Sequence, residues 1–316
     1  MEAPRVLSVQ SHVVHGHVGN KSATFPLQLL GFNVDPLNTV QFSNHTGYAK
    51  FTGERLEGPQ IDTLVEGLEA NGILNRYTHL LTGYLGRPSI LTSLQALVKK
   101  LKSINKNLVF MMDPVLGDDG KLYVAPELVD LYRDNLIQYA DIITPNGFEA
   151  TLLSGVKILD EASALEAIQK LHSMGPETVV VTSVDFGTNA DLTLYASHSP
   201  SNTRFKISFP KLKGSFTGTG DLFAACLLAR LSLGPGGVGV LKLETGGSRV
   251  VAACETVVSS MNQVLNETMQ RMKARGEDAG AAEGRGAENM RYRELCLIES
   301  RGFIENPDSL FKAVML

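Results

Sequence analysis

The reactive residue types concentrate in Gly218-Thr219-Gly220-Asp221, a turn that runs straight into the apolar segment 222–231. Two glycines let the backbone approach a ligand closely, and the free N–H groups and positive dipole end of a following helix favour an anion. A carboxylate beside such a turn suits a base that takes a proton from an attacking hydroxyl. The plainer reading of Asp221 is a helix N-cap. Two further acidic stretches are Asp113-Pro114-Val115-Leu116-Gly117-Asp118 and Thr144-Pro145-Asn146-Gly147-Phe148-Glu149. Asp113, Asp118, Asn146 and Glu149 are hard oxygen donors, suited to Mg²⁺ shared with phosphates or to K⁺. Turn chemistry accounts for the same residue types, and Asp118-Asp119 with Lys121 also reads as a solvated corner. His12, His15 and His17 spell H-x-x-H-x-H, but no helix or hairpin register joins them, so packing or exposure is the expectation. The commoner nucleotide signatures are missing. Gly16-His17-Val18-Gly19-Asn20-Lys21-Ser22 lacks the Gly-Lys pair of a P-loop, and no G-x-G-x-x-G follows a strand.

Such groups need a scaffold that brings several chain segments to one edge. β-rich runs bounded by turn residues occur at 5–9, 38–42, 79–82, 108–112, 141–144 and 178–182, nearly all apolar without alternation. That pattern belongs to strands covered on both faces. Between them lie segments of helical period at 61–74, 90–104, 126–139 and 162–174, the last stopped by Gly175-Pro176. Alternating β and α elements predict an α/β doubly wound fold. Residues 191–196 and 204–209 do alternate and read as antiparallel strands extending one edge, and helices are expected at 222–231 and about 249–272.

The composition agrees. The chain has 316 residues with 43% hydrophobic and 20% charged, which excludes disordered, collagenous and coiled-coil classes. Its 29 basic and 33 acidic residues leave a net charge of −4, so no electrostatic footprint for nucleic acid exists. Cys226, Cys254 and Cys296 are far apart and form no C-x-x-C pair, which points to a reducing compartment. Met1-Glu2-Ala3-Pro4-Arg5 shows no targeting pattern, and no apolar run is long enough for a membrane span. A cytoplasmic protein with neither membrane nor nucleic-acid partner is expected. Residues 273–290 hold four Gly, five Ala and seven charged residues without apolar period, and 234–248 hold six Gly. The first reads as a mobile surface loop and the second as a flexible connection. Neither separates two cores, so one domain over residues 1–316 is expected.

Read together, several blocks closely resemble the pyridoxal kinases, of the ribokinase-like superfamily. They are Ser8-Val9-Gln10-Ser11-His12-Val13, Val40-Gln41-Phe42-Ser43-Asn44-His45-Thr46-Gly47-Tyr48, Leu81-Thr82-Gly83-Tyr84, Asp113 to Asp118, Ile143-Thr144-Pro145-Asn146 and Gly218 to Asp221. The resemblance runs over about residues 5–270, and Asn44-His45-Thr46-Gly47-Tyr48 is its most specific block. It implies a ribokinase-like α/β fold, with a mostly parallel central sheet flanked by helices on both faces. It also implies a homodimeric kinase that transfers phosphate from ATP to the 5′-hydroxymethyl group of pyridoxal, pyridoxine and pyridoxamine, forming pyridoxal 5′-phosphate from pyridoxal. On that resemblance Asp221 is the base, and the N–H groups of Gly218, Thr219 and Gly220 cradle the transferring phosphoryl. Ser11 and Thr46 supply hydroxyls to the vitamin, while Val18, Phe42, His45 and Tyr84 pack around its ring. Asp118, Asn146, Glu149, Thr182 and Ser183 lie near the phosphates and Mg²⁺ or Zn²⁺, with Phe216 and Thr217 on the ATP side and Tyr123 in the covering loop. Asp113 and Thr144 match a K⁺ or Na⁺ site.

There are departures: the flap 118–123 is shorter than in the family, the stretch 197–215 is shorter than in its animal members, and the loop at 273–290 has no family counterpart. A sister kinase acting on hydroxymethylpyrimidine or a sugar would share Asp221 and the anion turn but need another ring pocket. A silent vitamin- or anion-binding module would keep Asp221 only as a cap.

Overall fold

The computed structural model describes residues 2–187, 191–232, 246–276 and 290–316. Most of the glycine-rich run at 234–248 and of the expected loop at 273–290 lies outside the described residues. The chain runs β1 (Arg5–Val13), α1 (Asn20–Leu29), β2 (Asn33–Phe42), β3 (Gly53–Arg55), α2 (Gly58–Ala70), β4 (His79–Thr82), α3 (Pro88–Ile104) and β5 (Val109–Met112). A small hairpin, β6 (Gly117–Asp118) and β7 (Lys121–Leu122), leads to α4 (Glu127–Leu131), β8 (Ile142–Ile143), α5 (Gly147–Ser154), α6 (Glu161–His172) and β9 (Thr178–Val184). Then follow β10 (Asp191–His198), β11 (Thr203–Pro210), α7 (Thr219–Ser232), α8 (Gly247–Ala274), α9 (Arg301–Glu305) and β12 (Val314–Met315).

One ten-stranded sheet has the order β12-β11-β10-β9-β8-β5-β4-β1-β2-β3. Strands β9, β8, β5, β4, β1 and β2 are parallel neighbours. β10, β11, β12 and β3 add antiparallel edges. Successive side chains of a strand point to opposite faces, and the apolar strands fill both. Leu7, Leu80, Phe110, Met112 and Val179 join the core under α2 to α6. Val6, Leu81, Val109, Met111 and Val180 join the core under α1, α7, α8 and α9. Each fully buried aliphatic side chain contributes about 1.5–3 kcal/mol of transfer free energy, which is why the apolar runs without alternation settle in the sheet centre. Residues 191–198 and 203–210 form the expected antiparallel edge.

The structure adds elements that periodicity did not predict. α1 carries Pro26 inside it, a residue that argues against a helix interior and masks its helical pattern. α5 is short and apolar nearly all round, so it lacks a helical stripe. The helical segment at 126–139 is not one regular helix: α4 passes into a π turn at Tyr132–Leu136 and a 3-10 turn at Ile137–Tyr139. The widened turn lets Tyr132, Leu136 and Ile137 all bury.

Candidate active site

The sheet reverses its winding between β1 and β4. β2 lies on one side of this pair and β5, β8 and β9 follow on the other, and ligands of open α/β sheets bind at such a switch point outside the carboxyl ends of the strands. Six candidate residues arrive there from six strands. Ser11 lies late in β1, Phe42 ends β2, Tyr84 follows β4, Asp113 follows β5, Thr144 follows β8 and Thr182 lies late in β9.

Asp221 enters from α7. Leu222 N–H donates to Gly218 O at 3.0 Å, so the helix already begins at the turn and Asp221 sits inside its first turn rather than at the N-cap. Its Oδ2 accepts the N–H of Gly19 at 2.7 Å, across 202 positions of sequence. The loop carrying Gly19 and the turn carrying Asp221 interlock. Gly218 has φ +86°, and a Cβ there would collide with the carbonyl oxygen of His17. Gly19 has φ +54°, and a Cβ there would collide with Ser11. Ser22 Oγ donates to Gly218 O at 3.0 Å. Burial pushes the Asp221 carboxyl up, partly opposed by the Gly19 N–H, and a carboxylate raised in this way is a better base near neutral pH.

Behind Asp221 lies a cluster of oxygens. Asp113 Oδ2, Thr144 Oγ1 and Thr82 Oγ1 are buried and lack a hydrogen-bond partner. A Cβ placed on Gly220 would lie 3.4 Å from Asp113 Oδ2, so the phosphate turn abuts this cluster. Burial, with Glu149 and Asp221 nearby, pushes the Asp113 carboxyl well above the usual range. Buried oxygens of Asp113, Thr144 and Thr82, with two further carboxylates nearby, fit a hard cation. Backbone donors hold Glu149. Its Oε1 accepts from Leu116 N and Gly117 N at 2.9 and 3.3 Å, and its Oε2 from Asn146 N at 2.9 Å. Asn146 Oδ1 accepts from Glu149 N, completing a capping box at the start of α5. Asn146 also donates to Gly117 O at 2.8 Å. The pair therefore pins the root of the β6–β7 hairpin to α5. Among the described residues no three His, Cys, Asp or Glu side chains form a ready metal cage. Asp118 is exposed at the hairpin, and its Oδ1 accepts the N–H of Asp119 at 2.9 Å.

A cavity of about 840 Å³ opens beside the turn. Of the candidate nucleotide residues, Asp118, Thr182, Ser183, Phe216, Thr219 and Gly220 line it. Asn146, Glu149, Thr217, Gly218 and Tyr123 do not. Lys157, Lys211 and Asn262 line it without having been singled out in the sequence; isolated lysines and an asparagine within a helix carry no local signal.

Val18 and Phe42 share a small apolar cluster with Val13 and Val40, and Tyr84 packs against it. Thr39 Oγ1 fixes the Tyr84 carbonyl at 2.9 Å. His45 is buried, whereas Thr46 is exposed at the tip of its loop. The sequence missed Glu294. Its Oε1 lies 3.2 Å from His45 Nε2 and accepts from Tyr48 OH at 2.9 Å, and its Oε2 accepts from His17 N at 2.9 Å. A lone acid hundreds of positions from its partners has no sequence signature.

A parallel sheet that reverses at β1/β4, with a Gly-Thr-Gly-Asp turn opening a helix over its carboxyl edge, defines a small-molecule kinase of the ribokinase-like class. The phosphomethylpyrimidine kinase family model matches residues 71–236. The chain is 44% identical over 313 residues to a pyridoxal kinase of Arabidopsis thaliana, covering 98% of this chain and 94% of that protein. It is 42% identical over 329 residues to that of Homo sapiens, covering 100% and 99%. A solved structure, the pyridoxal kinase of Leishmania donovani in complex with ADP and pyridoxamine, superposes with a TM-score of 0.86 at 36% identity, covering 99% of each chain. The chain belongs to the pyridoxal kinase family.

Proposed function

We propose that this protein transfers the γ-phosphoryl group of ATP to the 5′-hydroxymethyl group of pyridoxal, pyridoxine and pyridoxamine. The observation that carries the reading is the 2.7 Å bond from Gly19 N–H to Asp221 Oδ2, which joins the turn whose Thr219 and Gly220 line the 840 Å³ cavity to the loop whose Val18 packs with Phe42 and Tyr84. ATP occupies the cavity, and the pyridine ring packs on that wall and the His45 loop, with Ser11 and Thr46 as hydroxyl anchors.

Asp221 accepts the proton of the 5′-hydroxyl as its oxygen attacks the γ-phosphorus. Thr219 and Gly220 N–H groups, unpaired at the start of α7, stabilise the charge on the transferring group, which supplies most of the barrier lowering. Lys157 or Lys211 meets the leaving polyphosphate from the cavity wall. Mg²⁺ or Zn²⁺, held by the phosphates and Asp118, and K⁺ or Na⁺, held by Asp113 and Thr144, would neutralise charge on the nucleotide. Glu149 and Asn146 act by fixing the hairpin over it, and Tyr123 belongs to that cover.

One domain over the chain is supported by the continuous ten-stranded sheet. Among the described residues no helix is long and apolar enough to cross a membrane. A cytoplasmic homodimer completes the proposal. The test is formation of pyridoxal 5′-phosphate from pyridoxal, ATP, Mg²⁺ and K⁺, followed by absorbance, with hydroxymethylpyrimidine and ribose as rivals. Turnover of pyridoxal is expected; turnover of hydroxymethylpyrimidine alone would overturn the ring-pocket assignment, and no ATP consumption would overturn the enzyme.

A further inference from the structure

Glu294 lies on the chain between the described residue Met290 and α9, yet it touches both loops that wall the ring pocket. We infer that Glu294 is a positioning residue that clamps the Gly16–Gly19 strap between itself and Asp221, and thereby sets the vitamin pocket. The inference rests on the kinase reading above.

The geometry is specific. The Nδ1 of His45 accepts the N–H of Gly47 at 3.1 Å, so its ring proton sits on Nε2 and is donated to Glu294 Oε1. Both His45 ring nitrogens are thereby spent, and the ring offers only its apolar surface to a substrate. Tyr48 OH donates to the same oxygen, and the His45 and Tyr48 rings meet edge to face at 4.8 Å. The other oxygen holds His17 N–H. Gly16, at φ +95°, presses against the carboxylate so closely that a Cβ would collide with it. The strap is gripped a second time where the His17 carbonyl abuts Gly218 and Gly19 N–H binds Asp221. Val18 lies between these two grips. Burial pushes the Glu294 carboxyl up, but the bonds from His45, His17 and Tyr48 overcome it and hold the group below the ordinary range. The site therefore favours the ionised acceptor that three donors require.

Glu294→Gln replaces one acceptor oxygen with a donor facing donors. In the full chain, pyridoxal KM should rise about tenfold, the equivalent of one lost charge-assisted hydrogen bond, while ATP KM stays within about twofold because no contact to the nucleotide cavity changes. Amide exchange of residues 16–20 should quicken about tenfold as the strap opens locally. A lowered melting temperature with unchanged pyridoxal KM and unchanged exchange would reduce Glu294 to a structural brace and overturn the clamp, as would equal rises in both KM values. If Glu294→Gln does not fold, Tyr48→Phe removes one arm and leaves the charge; pyridoxal KM should then rise about threefold, and an unchanged value would overturn the inference. If the unaltered protein failed to phosphorylate pyridoxal, the kinase reading would fall while the exchange measurement still tested the clamp.

Discussion

At the scale of single residues, the Asp221 carboxylate accepts one backbone N–H while burial withdraws it from water. Asp221→Asn keeps the shape and the neighbours but removes the proton acceptor, so kcat should fall by about 10²–10⁴ with pyridoxal binding within a few-fold of normal. Initial rates and calorimetric titration check this; full activity would remove Asp221 from the base role. Asp113 illustrates the cost of such sites. Its Oδ2 is buried without a partner and its carboxyl is pushed well above the usual range. Asp113→Asn removes a poorly solvated charge, so the cation-free protein should melt several degrees higher, about 1–2 kcal/mol in a domain of this size. The same variant should lose stimulation by K⁺. Differential scanning calorimetry and rates with and without K⁺ read both effects.

At the scale of elements, two glycine turns with positive φ separate function from tolerance. Gly120, at φ +74°, follows Asp119 at φ +48° in the two-residue connection of β6 and β7, the geometry of a type I′ hairpin. Nothing lies within 4 Å of where its Cβ would go. Gly120→Ala therefore costs only backbone strain, about 1–2 kcal/mol, spent locally in the hairpin. Gly218→Ala adds to that strain a collision with the His17 carbonyl and must shift either the strap or the turn. Its kcat should fall at least about a hundredfold, as misplacement of reacting groups by an ångström does, while Gly120→Ala keeps kcat within a few-fold. Urea unfolding and kinetics of the two variants side by side separate the contributions. The Asn146–Glu149 capping box belongs to this scale too, because it ties a helix start to a hairpin root.

At the scale of the whole molecule, the buried His79 joins β4 at the sheet centre to the end of α7. Its Nε2 lies 2.9 Å from Ser232 Oγ, and its ring stacks edge to face on Phe32 at 5.4 Å. Burial pushes its imidazole down to about 4, against an ordinary value near 6.5. The folded state thus holds His79 neutral where the unfolded chain would protonate it. This stability is fully present above pH about 6.5 and is lost as pH falls towards 4, by roughly 3 kcal/mol. The buried acids Asp113 and Asp221 have raised values and act with the opposite sign, so the test is a difference. The stability of His79→Asn relative to the unaltered protein, measured in urea from pH 7 to pH 4.5, should rise steadily on acidification. A constant difference would show that His79 is not the group concerned.

The sequence alone determined the α/β class, because apolar runs without alternation and helical periods are local consequences of burial on two faces. It also determined the Gly-Thr-Gly-Asp turn, since two glycines and an acid before an apolar helix state their chemistry within four residues. Asn146 and Glu149 were legible as an acidic cluster or as turn chemistry, and the capping box they form came only from the structure. Tertiary structure alone decided what holds Asp221, where the strap sits, and that Glu294 joins His17, His45 and Tyr48. These contacts join residues that are local in space yet 202 and 277 positions apart in the chain. Periodicity records what a segment buries, not which distant backbone N–H a carboxylate will meet, so that information exists only once the sheet has brought the ends of its strands together.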